Sequence, residues 1–600
     1  MKLTKFILLA ILAVTFASCE DMFEPALENN RTIDDMYNDP NYAQGLLGYG
    51  YNQLPYSNSS VSDIATDDAV TNDLSSGYVE MALGSWSASQ DPMSQWQARK
   101  AAIQYLNTFL EIVDQVNWSD NKAMQQMFVD KYTGEALGLR ALQYYYLLRA
   151  HGGYTAGGQL LGVPLLLEPE SATSDFNQPR APFAECVAQM FTDLDQAIAL
   201  LPLDFEDVKS NASVPAKYRE IGATDGTYNL VFGTYQRGRL TGRIAEAIKA
   251  QVALFAASPA FADASGVTMQ QAAEYAAVVL NRIGGVSGMD PKGNTWYMNT
   301  AVIDVAEGGD SPAEIIWRGN RTNGTDDWDM GITQERNNFP PSLYGSGRIN
   351  PSQNLVDAFP MANGTPITEA GSGYNANDPY AGRDPRLAAY VIYNGATFKD
   401  KAIITGNYAD ASGSQSDNIG QLNTSTRTGY YLRKLLREDC NPDPNATNAK
   451  YHWPVRIRYT EIFLAYAEAA NEAYGPDGKA AGASYSAYDV IAAIRERAGI
   501  EGDSYLTSIK SDKAKMSELI RNERRLELCF ENHRFYDLRR WNLPLNEPAR
   551  GVRISQGAGG ALNYEPFTVE ERRFQDYMTY GPIPQSEVIK WSNLEQNKGW

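Results

Sequence analysis

The stretch RNERRLELCFENHRFYDLRRW, residues 521–541, is dense in arginines and acids at helical spacing. Glu523, Glu527 and Glu531 recur at every fourth residue, so a helix would carry all three carboxylates on one face. Four guanidinium groups flank them, those of Arg521, Arg524, Arg525 and Arg534. Because these cations outnumber the three acids, we predict ion pairs that join the last helices, rather than a metal site or an acid–base pair.

An upstream stretch, RIRYTEIFLAYAEAANEAYG at residues 456–475, is built in the same way. One helical face carries, at steps of three, seven and four residues, Arg458, Glu461, Glu468 and Glu472. We predict that these side chains join the same ion-pair network. The RDPRL segment is likewise interpreted as fixing a loop, with ligand contact as the alternative, through Arg383, Asp384 and Arg386.

Apolar residues recur at helical intervals over most of the chain. This pattern predicts helices over residues 97–116, 123–150, 183–201, 242–258, 455–474, 485–498 and 513–531. Small residues at packing positions resemble those of tetratricopeptide-type hairpins, but the irregular spacing does not predict a regular array. The expected fold class is mostly α: a tetratricopeptide-like helical scaffold with a loop-rich insertion that carries a few short strands.

Residues 259–450 differ from the rest of the chain, since Gly, Asn, Asp, Pro and Thr are frequent there. The segments AEIIWRG and LAAYVIY are predicted to be isolated strands within this region. Long loops on a rigid scaffold are a usual place for ligand contacts, so we expect the insertion to face the ligand. It separates an N-terminal helical block, 41–258, from a C-terminal helical block, 451–600.

The first residues have the pattern of an export signal. Two lysines precede an eleven-residue apolar run, Phe6–Phe16, and two small residues then lead to Cys19. The run is shorter than the roughly 20 residues of a spanning helix, and a buried N-terminal helix would not require the small-small-Cys ending. That ending resembles the lipobox of bacterial lipoproteins. We predict a signal peptide over 1–18, lipid on Cys19, and an acidic, Asn-rich tether over 19–40.

Composition limits the partners and the chemistry. The formal net charge of −20 argues against nucleic acid or an anionic lipid surface as a partner. Apart from Cys19, three cysteines remain, an odd number without metal-type spacing. Neither a disulfide framework nor a metal site is predicted, and Cys529 is interpreted as a small buried residue.

Enzyme signatures are missing from the sequence. The three histidines form no H-E-x-x-H motif, and His533 lies two residues after Glu531 instead of the three of a Glu-x-x-His pattern. Neither a G-x-S-x-G elbow nor a G-x-x-x-x-G-K-[ST] loop is present. No cofactor is predicted. A glycosidase needs only two carboxylates about 5–10 Å apart, so the 72 acids leave that alternative open.

Several motifs in a fixed order carry a family resemblance. The N-terminal half contains GEALGLRALQYYYLLRAHGGY, GVPLLLEPE and GRIAEAIKAQVALFAASP, and the middle contains PSQNLVDAFPMANGTPI and RDPRL. The C-terminal part adds RIRYTEIFLAYAEAANEAYG, VIAAIRERAGI, the arginine-rich stretch and GPIPQSEVIKWSNLEQNKGW. From Cys19 to Trp600 this order resembles the SusD/RagB family of outer-membrane lipoproteins of Bacteroidota.

The resemblance implies a binding protein and not an enzyme. Members sit on the outer face of the outer membrane, cap a SusC-like TonB-dependent transporter, and capture glycans for import. In this family, acids just after the lipidated cysteine accompany export to the cell surface, and Glu20 and Asp21 fit that. We expect a surface lipoprotein that delivers oligosaccharide to such a transporter. The alternatives are peptide cargo, as in the RagB branch, a surface glycosidase, and a purely structural lipoprotein.

Aromatic residues inside polar, Gly-rich loops are the candidate ligand contacts, because the flat faces of sugars stack on Trp and Tyr. The predicted ligand-binding residues are Trp86, Trp296, Trp328, Tyr78, Tyr344 and, as a hydroxyl acceptor, Asp68. The alternative for each aromatic residue is packing within its loop. Three further tryptophans lie in helix- or strand-like contexts and are assigned to the core: Trp96, Trp317 and Trp541.

Overall fold

The fold was obtained as a computed structural model, which describes residues 39–56, 62–304, 311–319 and 330–600. The predicted signal peptide, the lipidation site Cys19, nearly all of the tether and Trp328 lie outside these residues. Among the described residues, no helix combines the length and the apolar composition that a bilayer crossing requires.

The scaffold helices occupy almost the positions that hydrophobic periodicity predicts. Numbered α1 to α10, they are Pro40–Asn52, Trp96–Ile112, Lys122–His151, Phe183–Leu200, Gly242–Ala257, Met269–Asn281, Tyr459–Tyr474, Ala487–Arg497, Lys513–Glu527 and Arg534–Arg540. Shorter helices include Asp225–Phe232, Met330–Asn338, Gln353–Ala358, Pro385–Tyr390, Ser504–Ser508 and Gln585–Lys590. Local signals set several of the ends. The side chain of Asn121, for example, caps α3 by accepting hydrogen bonds from Ala123 N and Met124 N.

The helices pack in a continuous stack, each against its neighbour from α1 through α7, with α8 and α9 on α7. The contact between α6 and α7 joins the two helical blocks, although residues 282–458 separate these helices in sequence. Both helices are rich in alanines that are almost fully buried: Ala272, Ala273, Ala276, Ala277, Ala465, Ala469 and Ala470. Small side chains let the two helix backbones approach closely. The insertion therefore leaves and re-enters the stack at one point.

The range 259–450, expected to be loop-rich, contains α6, so the scaffold extends further along the chain than its composition indicates. The prediction of isolated strands is wrong in detail. Within AEIIWRG, strand β4 (Ile315–Arg318) pairs antiparallel with strand β10 (Val455–Arg458). Residues 387–390 of LAAYVIY belong to a helix, followed by strand β6 (Val391–Ile392), which pairs with strand β9 (Tyr431–Leu432). The range 455–474, predicted as one helix, begins with β10. Pairing with strands distant in sequence decides whether these segments form strands, and the periodicity of apolar residues carries no information about such pairing.

The strands are short and paired in twos. They are β1 Ala69–Thr71, β2 Gly153–Tyr154, β3 Leu160–Leu161, β4 Ile315–Arg318, β5 Ile349–Pro351, β6 Val391–Ile392, β7 Thr397–Phe398, β8 Lys401–Ala402, β9 Tyr431–Leu432, β10 Val455–Arg458, β11 Ala549–Gln556 and β12 Leu562–Glu570. The antiparallel hairpin of β11 and β12 was not predicted. The insertion has a core of its own, built around Phe339, Phe359, Tyr390, Phe398 and Tyr431 and shared with Phe530.

Glu523 and Glu527 of α9 are fully buried and ion-paired, as predicted, but their partners come from other segments. Arg386 lies 2.8 Å from Glu523 Oε2 and 2.9 Å from Glu527 Oε1, and it also binds Asp384 at 2.7 Å. Two arginines of α8 complete the pairs at 2.6 and 2.9 Å. Arg386 of the RDPRL segment thus supplies a cation that pairs with Glu523 and Glu527 of α9. Its Arg383 fixes a loop, as predicted, by donating to the carbonyl oxygens of Val356, Phe359 and Pro379.

The four arginines predicted as partners of these glutamates bind elsewhere, which corrects the assignment. Arg525 and Arg534 both bind Asp67 at 2.9 Å, and Arg525 also binds Asp68. Arg524 binds Asp537 at 2.9 Å. Arg521 lies over the Trp541 ring, 5.4 Å from its centroid. Helical spacing places Glu523 and Glu527 on one face correctly, but α9 ends at Glu527, so Glu531 lies beyond the helix. Spacing also cannot say which distant segment covers that face.

The remaining acids of the two opening stretches are also held by other segments. Glu531 binds Arg458 at 2.8 Å and Lys434 at 2.6 Å, and these cations outweigh burial and lower its pKa to about 2. Glu468 binds Arg540 at 2.5 Å, and Glu472 binds Lys513 at 3.2 Å near the surface. The prediction of one shared network is confirmed for Arg458, which joins Glu531 to the pairs of Glu527 through Glu314 and Arg497. Glu468 belongs to a separate cluster with Arg540 and Asp537, and Glu472 forms an isolated pair. Glu461 differs, because it accepts a hydrogen bond from Gln251.

Candidate functional site

A cavity of about 220 Å³ lies where the N-terminal block, the insertion and the C-terminal block meet. Its aromatic lining comes from all three parts of the chain: Tyr56, Tyr78, Tyr145, Tyr146, Trp296, Tyr297, Tyr451, Trp453, Phe530 and Tyr536. Its polar lining includes Gln95, Arg149, Gln251, Arg437, His452, Arg456, Arg458, Glu461, Glu531 and His533. A concave, largely aromatic cavity with a few convergent polar groups is typical of a small-molecule site.

The last turns of α3 supply one wall. Arg149 follows Tyr145 by four residues and Tyr146 by three, so its side chain lies beside both rings on the helix surface. The Arg149 guanidinium is sandwiched between two rings, 4.1 Å from the Tyr146 centroid and 3.9 Å from the Tyr536 centroid. No carboxylate among the described residues forms a salt bridge with Arg149, and its buried Nε makes no hydrogen bond there. The site thus holds a positive charge that keeps hydrogen-bonding capacity.

The insertion supplies the opposite wall. Trp296 and Tyr297 lie in the short helical segment Gly293–Met298, with their rings nearly perpendicular and the centroids 5.7 Å apart. They pack in one cluster with Trp453, which is 4% exposed. The Trp453 Nε1–H is buried and makes no hydrogen bond to the described residues. A buried donor left unpaired is costly, so this N–H has a reason to meet an acceptor on a ligand.

Two acids line the cavity in the described part of the chain, and they differ in the groups that bind them. Glu531 is bound by Arg458 and Lys434, as described above. Glu461 accepts a hydrogen bond from Gln251 Nε2 at 2.7 Å. Burial lowers the pKa of the neighbouring His533, and Glu461 only partly offsets that effect. Glu531 is thus an ion-paired carboxylate, whereas the partner of Glu461 is a neutral amide.

The structure brings together two of the predicted ligand contacts. Trp296 and Tyr78 both line the cavity, and the Tyr78 hydroxyl donates to Pro92 O at 3.1 Å. Burial raises the pKa of Tyr78 to about 12. Tyr344 is 57% exposed and does not line the cavity. The prediction for Trp328 lies outside the described residues.

Two predicted contacts are buried and bonded to other protein groups, outside the lining of the cavity. Trp86 is 5% exposed, its ring packs against Phe535, Phe574 and Trp600, and its Nε1 donates to Asp91 at 2.9 Å. Asp68 is fully buried and paired with an arginine of α9. We therefore reassign both residues to the core. The polar, Gly-rich sequence around Trp86 indicated a loop correctly, but the loop folds inward.

Other aromatic residues of the cavity were missed by sequence reasoning. Trp453 precedes a proline and a short strand, a context that did not suggest a ligand contact. Tyr145, Tyr146 and Tyr536 lie in helices, where their spacing is that of side chains packed in the core. The three tryptophans assigned to the core, Trp96, Trp317 and Trp541, are buried, which confirms that prediction. Cys529 is also buried, and no disulfide forms among the described cysteines.

Comparison with known proteins gives the same classification from sequence profiles and from structure. The profile of the SusD family matches residues 313–600, and a second profile, described as starch-binding associating with outer membrane, matches residues 24–221. A search of curated proteins found no match.

Solved structures match over nearly their whole length. A SusD-like protein from Bacteroides fragilis NCTC 9343 is 22% identical with a TM-score of 0.69, and the match covers 95% of this chain and 99% of that one. A SusD-like carbohydrate binding protein from the same organism is 20% identical with a TM-score of 0.65, over 93% and 100% of the two chains. A SusD homolog from Bacteroides thetaiotaomicron VPI-5482 is 18% identical with a TM-score of 0.61, over 96% and 100%. The solved structures share the fold of this chain, and the two profiles place it in the SusD/RagB family.

Proposed function

We propose that this protein binds an oligosaccharide in the cavity between the helical blocks and the insertion, and passes it to a SusC-like TonB-dependent transporter. The observation that carries the proposal is the lining of the cavity. Aromatic rings from three parts of the chain converge there, together with two donors that have no partner in the described part of the chain, Trp453 Nε1 and Arg149 Nε. Family membership and the carbohydrate-binding description of a structural relative support this class of ligand.

The lining suits a sugar for a physical reason. A pyranose ring presents apolar C–H faces and polar hydroxyl edges, so it requires flat apolar surfaces beside hydrogen-bond partners. Trp453, Trp296 and Tyr146 offer the surfaces, while Arg149 and Glu461 offer a donor and an acceptor. A bound hydroxyl would satisfy buried groups that have no partner among the described residues, which favours binding.

The test is binding of the protein lacking residues 1–19 to an array of plant, host and microbial glycans, with a peptide pool alongside. Trp453→Ala should weaken a selective glycan signal at least tenfold, because it removes both the ring and the donor. Trp453→Phe keeps an aromatic face and removes the N–H, so it separates stacking from hydrogen bonding. Trp591→Ala is the matched control, since Trp591 is partly buried beside Phe176 and lies outside the cavity. Unchanged glycan affinity in Trp453→Ala would refute this site.

The same array distinguishes the rival cargo and the rival class. A peptide signal without a glycan signal would move the protein to the peptide-binding branch and retire the aromatic assignments. New reducing ends after incubation with a bound glycan would show a glycosidase instead. We expect none, because Glu531 is held as an ion pair. The predictions for Tyr344 and Trp328 are tested in the same array by substitution with alanine.

The anchor and the partner also belong to this proposal. We expect Cys19 to carry lipid in the outer membrane, with Glu20 and Asp21 directing the protein to the cell surface. Cys19→Ala should abolish labelling with palmitate and release the protein from the membrane fraction. A tagged protein should co-purify with a TonB-dependent barrel in detergent. If no barrel is recovered while glycan binding persists, the role in delivery fails and the binding function stands.

A further inference from the structure

We propose that Glu335, Cys440 and His452 form a Zn²⁺ site beside the cavity, which His452 lines. The inference is independent of the proposed ligand. All three side chains are buried, and one potential ligand atom from each, an oxygen, a sulfur and a nitrogen, lies within 4.8 Å of the other two. That spacing is compatible with a small cation placed between them, because Zn²⁺ ligands lie about 2.0–2.3 Å from the metal.

The hydrogen bonds of His452 favour a cation at this position. Its Nε2 lies 2.9 Å from Glu335 Oε1, and its Nδ1 lies 2.9 Å from Lys450 O. Both neighbours are acceptors, whereas a neutral imidazole has one N–H. If Nδ1–H donates to the carbonyl oxygen, the Nε2 lone pair faces a carboxylate, and a cation between them turns that repulsion into two metal bonds. Metal-bound histidines commonly donate their other ring N–H to a carbonyl in this way.

Glu335 and Cys440 also have atoms that could coordinate a metal. Glu335 Oε1 accepts the backbone N–H of Arg437 at 2.9 Å, while its buried Oε2 makes no hydrogen bond to the described residues. The Cys440 Sγ lies 3.8 Å from Gly331 O, which is a weak contact. A carboxylate, a thiolate and a divalent cation sum to zero charge, as a buried site requires. The guanidinium of Arg437 is itself neutralised by Asp304 and Asp439, each at 2.6 Å.

The identity of the ligands selects the metal. A thiolate with an imidazole and a carboxylate suits Zn²⁺, whereas Ca²⁺ and Mg²⁺ need six or more oxygen ligands. Three protein ligands leave one tetrahedral position for water. The ligands come from the helix Met330–Asn338 and from two loops, one of which continues into Trp453. A bound cation would therefore fix the cavity wall that carries this tryptophan.

Metal content and the Co²⁺ spectrum test the site. The protein without residues 1–19 is dialysed first against Zn²⁺ and then against metal-free buffer. It should retain one zinc per molecule. Replacement by Co²⁺ should give a thiolate-to-cobalt charge-transfer band and intense tetrahedral d–d bands. Cys440→Ser should lose that band and bind zinc at least tenfold more weakly. Cys186→Ser is the matched control, because Cys186 is an equally buried free cysteine outside the cluster.

The competing account is an imidazolium–carboxylate pair beside an inert thiol, and it makes opposite predictions. It requires no retained zinc, no thiolate band and no dependence of the thermal midpoint on zinc. Any of these results for the folded wild type would overturn the proposal, as would equal zinc affinity in Cys440→Ser. Circular dichroism of the metal-free variant checks that it folds. If it does not, Glu335→Gln takes its place in the same zinc titration, with at least tenfold weaker binding expected and an unchanged affinity overturning the site.

Discussion

Replacing Arg386 with methionine should be among the most destabilising single changes in this protein. The Arg386 side chain is 1% exposed and binds three carboxylates, those of Asp384 at 2.7 Å, Glu523 at 2.8 Å and Glu527 at 2.9 Å. Methionine fills similar volume but carries no charge. Each glutamate retains one arginine of α8, while Asp384 keeps the backbone N–H of residue 386 as a donor.

The size of the effect follows from what remains buried. Removing one partner of a buried ion pair typically costs about 3–5 kcal/mol, because the charge left behind is neither hydrated nor compensated. We expect a loss in this range for Arg386→Met. The control is Lys510→Met, since the Lys510–Asp477 pair at 3.3 Å is about half exposed on both sides. An exposed pair contributes at most about 1 kcal/mol.

Equilibrium urea unfolding, followed in parallel by tryptophan fluorescence and far-ultraviolet circular dichroism, measures both variants. The free energies are comparable where the two probes give coincident transitions. Adding Glu523→Gln to Arg386→Met should cost less than the sum of the single changes, because it removes one of the uncompensated charges. If Arg386→Met loses no more stability than Lys510→Met, the buried network does not stabilise the fold as argued here.

Three further predictions concern single positions. Burial and the carboxylate of Asp68 raise the pKa of Asp63 from 3.8 to about 8, so the folded chain keeps a proton that the unfolded chain releases at lower pH. The wild type should therefore lose stability relative to Asp63→Asn as the pH rises from about 5 to about 8, and urea midpoints that differ by a constant amount over this range would contradict the assignment. Asn121→Ala should cost about 1 kcal/mol in urea unfolding by removing the cap of α3, while Asn121→Ser should cost less; equal losses would exclude the cap as the cause. Gly347→Ala should lower the thermal midpoint more than Gly395→Ala, because both have positive φ but only the Cβ at 347 would overlap a backbone carbonyl oxygen; equal shifts would leave backbone conformation as the whole effect.

The scaffold helices could be predicted because the signal for a helix is local. Repeats of apolar residues, side-chain caps and terminal glycines lie within the segment that folds. The same logic failed for Leu387–Tyr390 and for the start of the range 455–474, where partners distant in sequence decide between strand and helix. The range 259–450 was read from its composition, which does not reveal that α6 packs between α5 and α7.

The candidate site was predicted in part. Trp296 and Tyr78 do line the cavity, but Trp86 and Asp68 are buried away from it, and Trp453 was not singled out. Aromatic residues in polar loops are equally consistent with a loop that folds inward and one that stays open. Which of these occurs depends on the surface available to each loop, and the neighbouring residues alone do not contain that information.

The sequence by itself determined the family, the helical class and the prediction that the acids of residues 521–541 are ion-paired, because order of motifs and helical spacing are properties of the chain. Only the tertiary structure decided which cations pair with which acids and which aromatic residues meet in the cavity. Arg386 reaches Glu523 across 137 residues of sequence, and Tyr146, Trp296 and Trp453 come from separate parts of the chain. Such contacts are set by the packing of the insertion on the helical stack, and no local pattern encodes that packing.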